Sequence, residues 1–185
     1  FDGHANFLPH LAVRNPNSSS TPVRICFDAS RVQGGGPSLN HVIAKGPDRF
    51  LNNLAAVILG FRNGRVAAKG DVKKMYYAVY LTEEDSYLQC FVWRDLDVTK
   101  EPAIYQVCVN NIGVKAAGAI ATRALQKSIE IHEDEYKETA DQLNRKSYVD
   151  DLGLTADNSQ ELEQKIREAN TILEDANMYV KEWRE

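Results

Sequence analysis

Apolar residues recur along the chain with two periods, and the alternation between those periods divides it into elements. Val23-Arg24-Ile25-Cys26-Phe27 alternates and is rich in β-formers, which predicts a strand. From Asp48 onward, Phe50, Leu51, Leu54, Val57, Ile58 and Phe61 fall at helical spacing, closed by Gly60 and Gly64. A short strand ending at Asp71 follows, then a pair of strands centred on 88–93 and 104–109. Over 114–131, Val114, Ala117, Ala121, Ala124, Leu125 and Ile129 share one helical face. Residues 147–156 predict two strands with acids at the turn, and 178–183 predict the last strand. Between them, Asn158 or Ser159 caps a helix through Leu162, Ile166, Ala169, Leu173 and Ala176. Upstream of Val23, the prolines Pro9, Pro16 and Pro22 and the run from Asn15 to Ser20 mark loop and turn. Gly34-Gly35-Gly36-Pro37 is a loop that lacks the Gly-Lys-Ser/Thr of a phosphate-cradling motif. Hairpins separated by helices give an α+β class with a mixed, largely antiparallel sheet.

Composition narrows this picture. A chain of 185 residues with 43% hydrophobic and 9% aromatic content suits one packed domain, or two small subdomains sharing a core. No apolar run approaches the roughly 18 residues of a membrane span, so no membrane partner is expected. The start is polar, without a basic n-region or an initiator Met, so the chain reads as a piece of something longer with no signal peptide. Cys26, Cys90 and Cys108 are widely spaced in apolar runs and read as buried thiols in a reducing compartment. His4, His10, His41 and His132 lack the spacing of metal ligands, and 130–138 reads as a solvated helix end. The net charge of −4 disfavours a uniformly basic binding surface, yet 61–74 carries five basic residues against one acid.

Three acids stand where carboxylates are awkward. Asp71 closes the apolar run Val66-Ala67-Ala68, and Asp150-Asp151 interrupt Tyr148-Val149 and Leu152. Adjacent carboxylates repel unless a cation neutralises them. A pair of Mg²⁺ ions would do so and would supply what phosphoryl transfer requires. Asp-Asp alone is a common turn former. Tyr-Val-Asp-Asp between β-rich runs is a sharper signal, a word expected by chance in about one chain in a thousand of this length.

Tyr148-Val149-Asp150-Asp151 resembles the catalytic hairpin of reverse transcriptases, and Asp71-Val72-Lys73-Lys74-Met75-Tyr76 resembles their first catalytic motif. Phe7-Leu8-Pro9-His10, Val23-Arg24-Ile25-Cys26-Phe27-Asp28-Ala29-Ser30, Ser38-Leu39-Asn40, Gly46-Pro47, Phe91-Val92-Trp93-Arg94 and Ala124-Leu125-Gln126 extend the likeness to nearly the whole chain. Their order is similar to that of the BEL/Pao group of LTR retrotransposons. The resemblance implies a polymerase palm over 66–185, with partial fingers over 1–65 and the thumb absent. It implies template-directed DNA synthesis with two Mg²⁺ ions, Mn²⁺ being a substitute. Asp71 and Asp150 would be the main metal ligands, Asp151 the third acid, and the Val72 carbonyl a further ligand. Arg24 would contact the incoming triphosphate, and Tyr76 would block a ribose 2′-OH. Gly113 would open the helix supporting the template base, and Lys181 would approach the leaving pyrophosphate. Read without the resemblance, Arg24 is an exposed strand cation, Tyr76 a core aromatic and Lys181 a surface lysine. The implied partners are an RNA or DNA template–primer, deoxynucleoside triphosphates, and flanking protease, RNase H and integrase regions. The implied setting is a cytoplasmic virus-like particle. The chain departs from the family pattern in two places: Ile112 precedes Gly113 where retroviral enzymes carry Gln, and Ala117-Gly118 replace the usual Ser-Pro. These departures point to the alternative, an inert reverse-transcriptase-like module that binds nucleic acid or protein.

Overall fold

The computed structural model describes residues 5–17, 22–32, 34–47 and 50–185. His4, Ser18 to Ser20 and Asp48, which figure in the sequence reading, lie outside them. In chain order the elements begin with β1 (His10–Arg14), β2 (Val23–Phe27), α1 (Leu39–Val42), α2 (Leu54–Phe61) and β3 (Val66–Val72). A 3₁₀ turn over Met75–Ala78 precedes α3 (Glu83–Ser86), β4 (Cys90–Trp93), β5 (Ala103–Gln106), α4 (Ala117–Ile131) and α5 (Lys137–Lys146). The chain closes with β6 (Asp151–Ala156), α6 (Ser159–Glu174) and β7 (Val180–Arg184). The α+β class holds, and every strand pair within a sheet is antiparallel. Among the described residues, no helix is long and apolar enough to cross a membrane.

Two compact units share these elements, Phe1–Lys45 with Tyr80–Ala117, and Gly46–Val79 with Gly118–Glu185. The units therefore do not follow a single cut at 65/66. In the first, β1–β2 and β4–β5 form two-stranded ribbons. Backbone bonds from Leu8 N–H to Cys90 O (2.7 Å) and from Cys90 N–H to Asn6 O (3.0 Å) tie the N-terminal segment to β4. Phe27 packs edge-on against Phe91 at 5.1 Å, and Phe91 stacks on Tyr105 at 5.4 Å. Leu8, Ala29 and Leu39 form a small core beneath. The strand β1 was not expected from sequence: Pro9 and Pro16 flank it, and only its pairing with β2, Leu11 opposite Cys26, reveals it. That pairing also corrects the cysteines. Cys26 and Cys108 are exposed and only Cys90 is buried, where burial pushes its thiol pKa up.

The second unit is a three-stranded sheet in the order β6-β3-β7, with helices packed on it. Along β3 the side chains alternate: Ala68, Gly70 and Val72 are buried, while Lys69 and Asp71 are exposed. The buried face meets Leu125 and Ile129 of α4 and Ile172 and Leu173 of α6, each side chain contributing roughly 1.5–3 kcal/mol by leaving water. On β6 both faces are buried from Leu152 to Ala156, because α5 and α2 cover the second face. Gln142 of α5 locks that cover: its Nε2–H donates to Thr155 O (3.0 Å) and its Oε1 accepts from Thr155 N–H (2.8 Å). At Lys69 and Asp71 the face is open.

Several boundaries differ from the sequence reading. α2 begins at Leu54, capped by the Asn53 side chain, because Phe50 to Asn53 lie in an irregular lead-in. α4 begins at Ala117 rather than 114. The largest miss is α5: 137–146 is helical, and residues 147–156 hold one strand and a turn in place of two strands. Its charged sequence, Lys137-Glu138-Thr139-Ala140-Asp141-Gln142-Leu143-Asn144-Arg145-Lys146, buries only Thr139, Ala140, Gln142 and Leu143, so the apolar signal is faint. His132 is buried in a structural role, with Nε2 2.9 Å from Asp175 Oδ2 and Nδ1 3.0 Å from Ser128 O.

Candidate active site

The ladder between β3 and β6 sets Asp71 directly opposite Asp151. Residues opposed in an antiparallel pair project to the same face, so both carboxylates stand on the open side of the sheet. Just before Asp151 the chain reverses through Tyr148-Val149-Asp150-Asp151, closed by Tyr148 N–H to Asp151 O (2.8 Å) and Asp151 N–H to Tyr148 O (3.0 Å). The positive φ falls at Val149 (57°) and not at Asp150, the pattern of a type II′ turn. Glycine is the usual residue there. A β-branched side chain in that region costs about 1–3 kcal/mol, the kind of strain that gathers at functional sites. Val72 N–H donates to Asp150 O at 2.9 Å, so the turn is pinned to the strand that bears Asp71. Three acids from two distant stretches are thereby brought to one end of one sheet.

The other edge of β3 adds to this. Gly70 pairs with Trp183 and Val72 with Val180, so Lys181 and Glu182 of β7 together oppose the single residue Asp71. This is a β-bulge, a device frequent beside active sites. It places the expected Lys181 next to Asp71 in the sheet, exposed, and with it Glu182, which sequence reasoning did not single out. After β3, Lys74 adopts a left-handed φ of 52° and turns the chain into the 3₁₀ segment. Met75 is buried there, and Tyr76 is half-buried against the core. Burial, and then the charge of Asp150, push the Tyr76 phenol pKa up.

Lys69 is the other residue that sequence reasoning passed over. Its ammonium lies 3.1 Å from Asp151 Oδ1, both side chains being about half exposed (57% and 48%). The signal was present in the two-residue period, which puts Lys69 on the face of Asp71.

The donor set is one of hard oxygens, which suits Mg²⁺ or Mn²⁺. Among the described residues, no three Asp, Glu, His or Cys side chains converge as a preformed metal cage. Mg²⁺ seldom uses such cages; it takes one or two carboxylates and completes its shell with water and substrate phosphates. Asp71 facing Asp151, with Asp150 one residue away, fits that mode.

Arg24 and Gly113 belong to the first unit. Arg24 is exposed on β2, paired in register with Val13. Gly113 lies four residues before α4, and its φ is 113°. A Cβ there would stand 2.7 Å from Phe27 O, so only glycine fits. Asn40 holds this corner, donating from Nδ2 to Gly113 O (2.8 Å) and accepting from Lys115 N–H at Oδ1 (2.7 Å). Ile112 is 54% exposed. A Cβ on Gly118 would lie 3.9 Å from the Tyr76 hydroxyl, an ordinary contact.

A family model described as reverse transcriptase (RNA-dependent DNA polymerase) matches residues 39–183. No curated protein matches the chain.

Proposed function

The chain belongs to the reverse transcriptase (RNA-dependent DNA polymerase) family, and on that premise we propose that it performs template-directed nucleotidyl transfer at Asp71, Asp150 and Asp151. The observation that carries the proposal is the register of β3 on β6, which stands Asp71 against Asp151 and pins the Asp150 turn by the Val72 N–H.

Asp71, Asp150, Asp151 and the Val72 carbonyl would hold two divalent ions, Mg²⁺ or Mn²⁺. When bound, these would make a primer 3′-hydroxyl a better nucleophile and hold the triphosphate. The chain's own contribution is placement. The bond from Val72 N–H to Asp150 O keeps the turn from swinging, and the Tyr148–Asp151 bonds fix where the two adjacent carboxylates begin. Phosphoryl transfer depends chiefly on positioning and charge, so a rigid sheet end is the kind of scaffold it needs. Tyr76 would exclude a ribose 2′-hydroxyl by bulk. Arg24 would steady the triphosphate, Gly113 would support the template base, and Lys181 would approach the leaving pyrophosphate. The substrates would be deoxynucleoside triphosphates and an RNA or DNA template–primer gripped through its backbone. The order of the sequence motifs supports a place in the BEL/Pao group of LTR retrotransposons, within a polyprotein that also carries protease, RNase H and integrase.

The second reading is an inert module that binds nucleic acid or protein. What favours it is the departures at Ile112 and Gly118. Primer extension on a poly(rA) template with Mg²⁺ separates the two. The proposal expects incorporation that stops when Mg²⁺ is chelated; template binding without incorporation would favour the inert module.

A further inference from the structure

Lys69 shares the open face of the sheet with Asp71, and its cross-strand neighbour on β6 is Gly153. With no side chain opposite, the lysine stem is free to reach diagonally to Asp151, where its Nζ lies 3.1 Å from Oδ1. Two neighbouring cations are engaged elsewhere. Arg184, the β7 partner of Lys69, gives its Nε–H to Glu182 Oε2 at 2.9 Å. Lys146 donates its ammonium to Gln142 Oε1 at 3.1 Å and to the Thr155 hydroxyl. Lys69 is the cation paired with Asp151 in the structure.

An exposed ion pair contributes little to stability, so folding does not explain this contact. Its location does. Adjacent carboxylates repel when nothing positive is near, and lysine is a compact point charge on a flexible stem that can let go. We propose that Lys69 is a built-in counterion that occupies Asp151 while the acid cluster is empty and competes with a divalent cation for that carboxylate, thereby setting the cluster's metal affinity. The inference rests on the reading of Asp71, Asp150 and Asp151 as a metal-binding set. A unit charge several ångströms from a divalent ion in water-like surroundings alters its affinity by about tenfold, and salt weakens the effect.

The test is Mn²⁺ binding, followed by calorimetry and by the loss of the free-ion paramagnetic signal, with no nucleotide or template present. Lys69→Gln should bind Mn²⁺ about 3–10-fold more tightly than the unaltered protein at low salt, and the gap should narrow as salt rises. Lys69→Arg, which keeps the charge, should stay at the starting affinity. In an Asp151→Asn background, Lys69→Gln should change nothing. Because Lys69 is exposed, the variants should melt at the starting temperature. Equal Mn²⁺ affinity with and without Lys69 overturns the inference while leaving the metal site standing. So does a gain that persists in Asp151→Asn, or one that appears equally in Lys69→Arg. If the unaltered protein binds no more Mn²⁺ than the Asp71→Asn/Asp150→Asn variant, the site itself fails and the inference with it.

Discussion

Gly70→Ala tests the packing that holds the acid-bearing strand. A Cβ at Gly70 would sit 2.9 Å from two ring atoms of Trp183 and 3.0 Å from Val180 Cγ1, where ordinary contact begins near 3.4 Å. The indole cannot easily yield, because its Nε1–H donates to Asn170 Oδ1 at 3.0 Å and β7 is laddered to β3 on either side. Overpacking of this kind costs about 1–3 kcal/mol. Loss of the indole hydrogen bond would add about 0.5–1.5 kcal/mol. Against this, Ala stiffens the unfolded chain by about 0.4–1 kcal/mol. The balance is a loss of about 0.5–4 kcal/mol, or a fall in Tm of roughly 1–16 °C at this chain length. Urea and thermal melts measure it. Trp183→Leu should make room, so the double variant should recover at least about 1 kcal/mol relative to the sum of the single changes. A Gly70→Ala protein as stable as the original, or more so, would refute the close approach and with it the bulge that sets Lys181 and Glu182 against Asp71.

Lys165, on α6, is buried, with Glu138 Oε1 and Glu161 Oε1 each 2.6 Å from its ammonium. Lys165→Met should lose about 1.5–3 kcal/mol in a urea melt, the worth of charge-assisted hydrogen bonds, since both glutamates regain water. The Lys165 ammonium holds the Glu161 carboxyl below the usual carboxylate range, so that contribution is present above about pH 4.3 and is lost as pH falls through the lowered folded value. The gap between the two proteins should close in acid, and a gap that widens there would contradict the pairing. Tyr76→Ala should lower the ratio of kcat/KM for deoxynucleotides over ribonucleotides by roughly 10–100-fold. If Tyr76 serves only the core, both substrates would suffer alike and the cavity would cost about 3–5 kcal/mol.

The parts of this molecule legible in its sequence are those where one period runs undisturbed. The helix capped by Asn158, the strand at Val23 and the hairpin of β4 and β5 follow from spacing alone. The positions of Asp71, Asp150 and Asp151 were legible as a motif, but their opposition depends on register. Register is fixed by apolar residues some eighty positions apart, Leu154 opposite Ala68, for example. α5 was hidden because its buried face includes Thr139 and Gln142, and Gln142 does the work of a ladder partner for Thr155. β1 was hidden by flanking prolines, and its strand character comes from β2. Lys69 and Glu182 could not be weighed without knowing which residue each faces: one needed the diagonal across Gly153, the other the bulge at Asp71.

The central claim is that the carboxylates at this sheet end perform nucleotidyl transfer, and Asp150→Asn examines it most directly. The measurement is the single-turnover rate of Mg²⁺-dependent addition of one nucleotide to a primer, taken beside a thermal melt. Asp150 is half-buried at a turn held by backbone bonds, so replacing its carboxylate with an amide should leave the melt unchanged or raise it as repulsion eases. The rate should fall by about 10²–10³-fold or more, the scale expected when preorganised charge is removed from the reacting centre. A variant that melts normally and adds nucleotide at near the original rate would contradict the account.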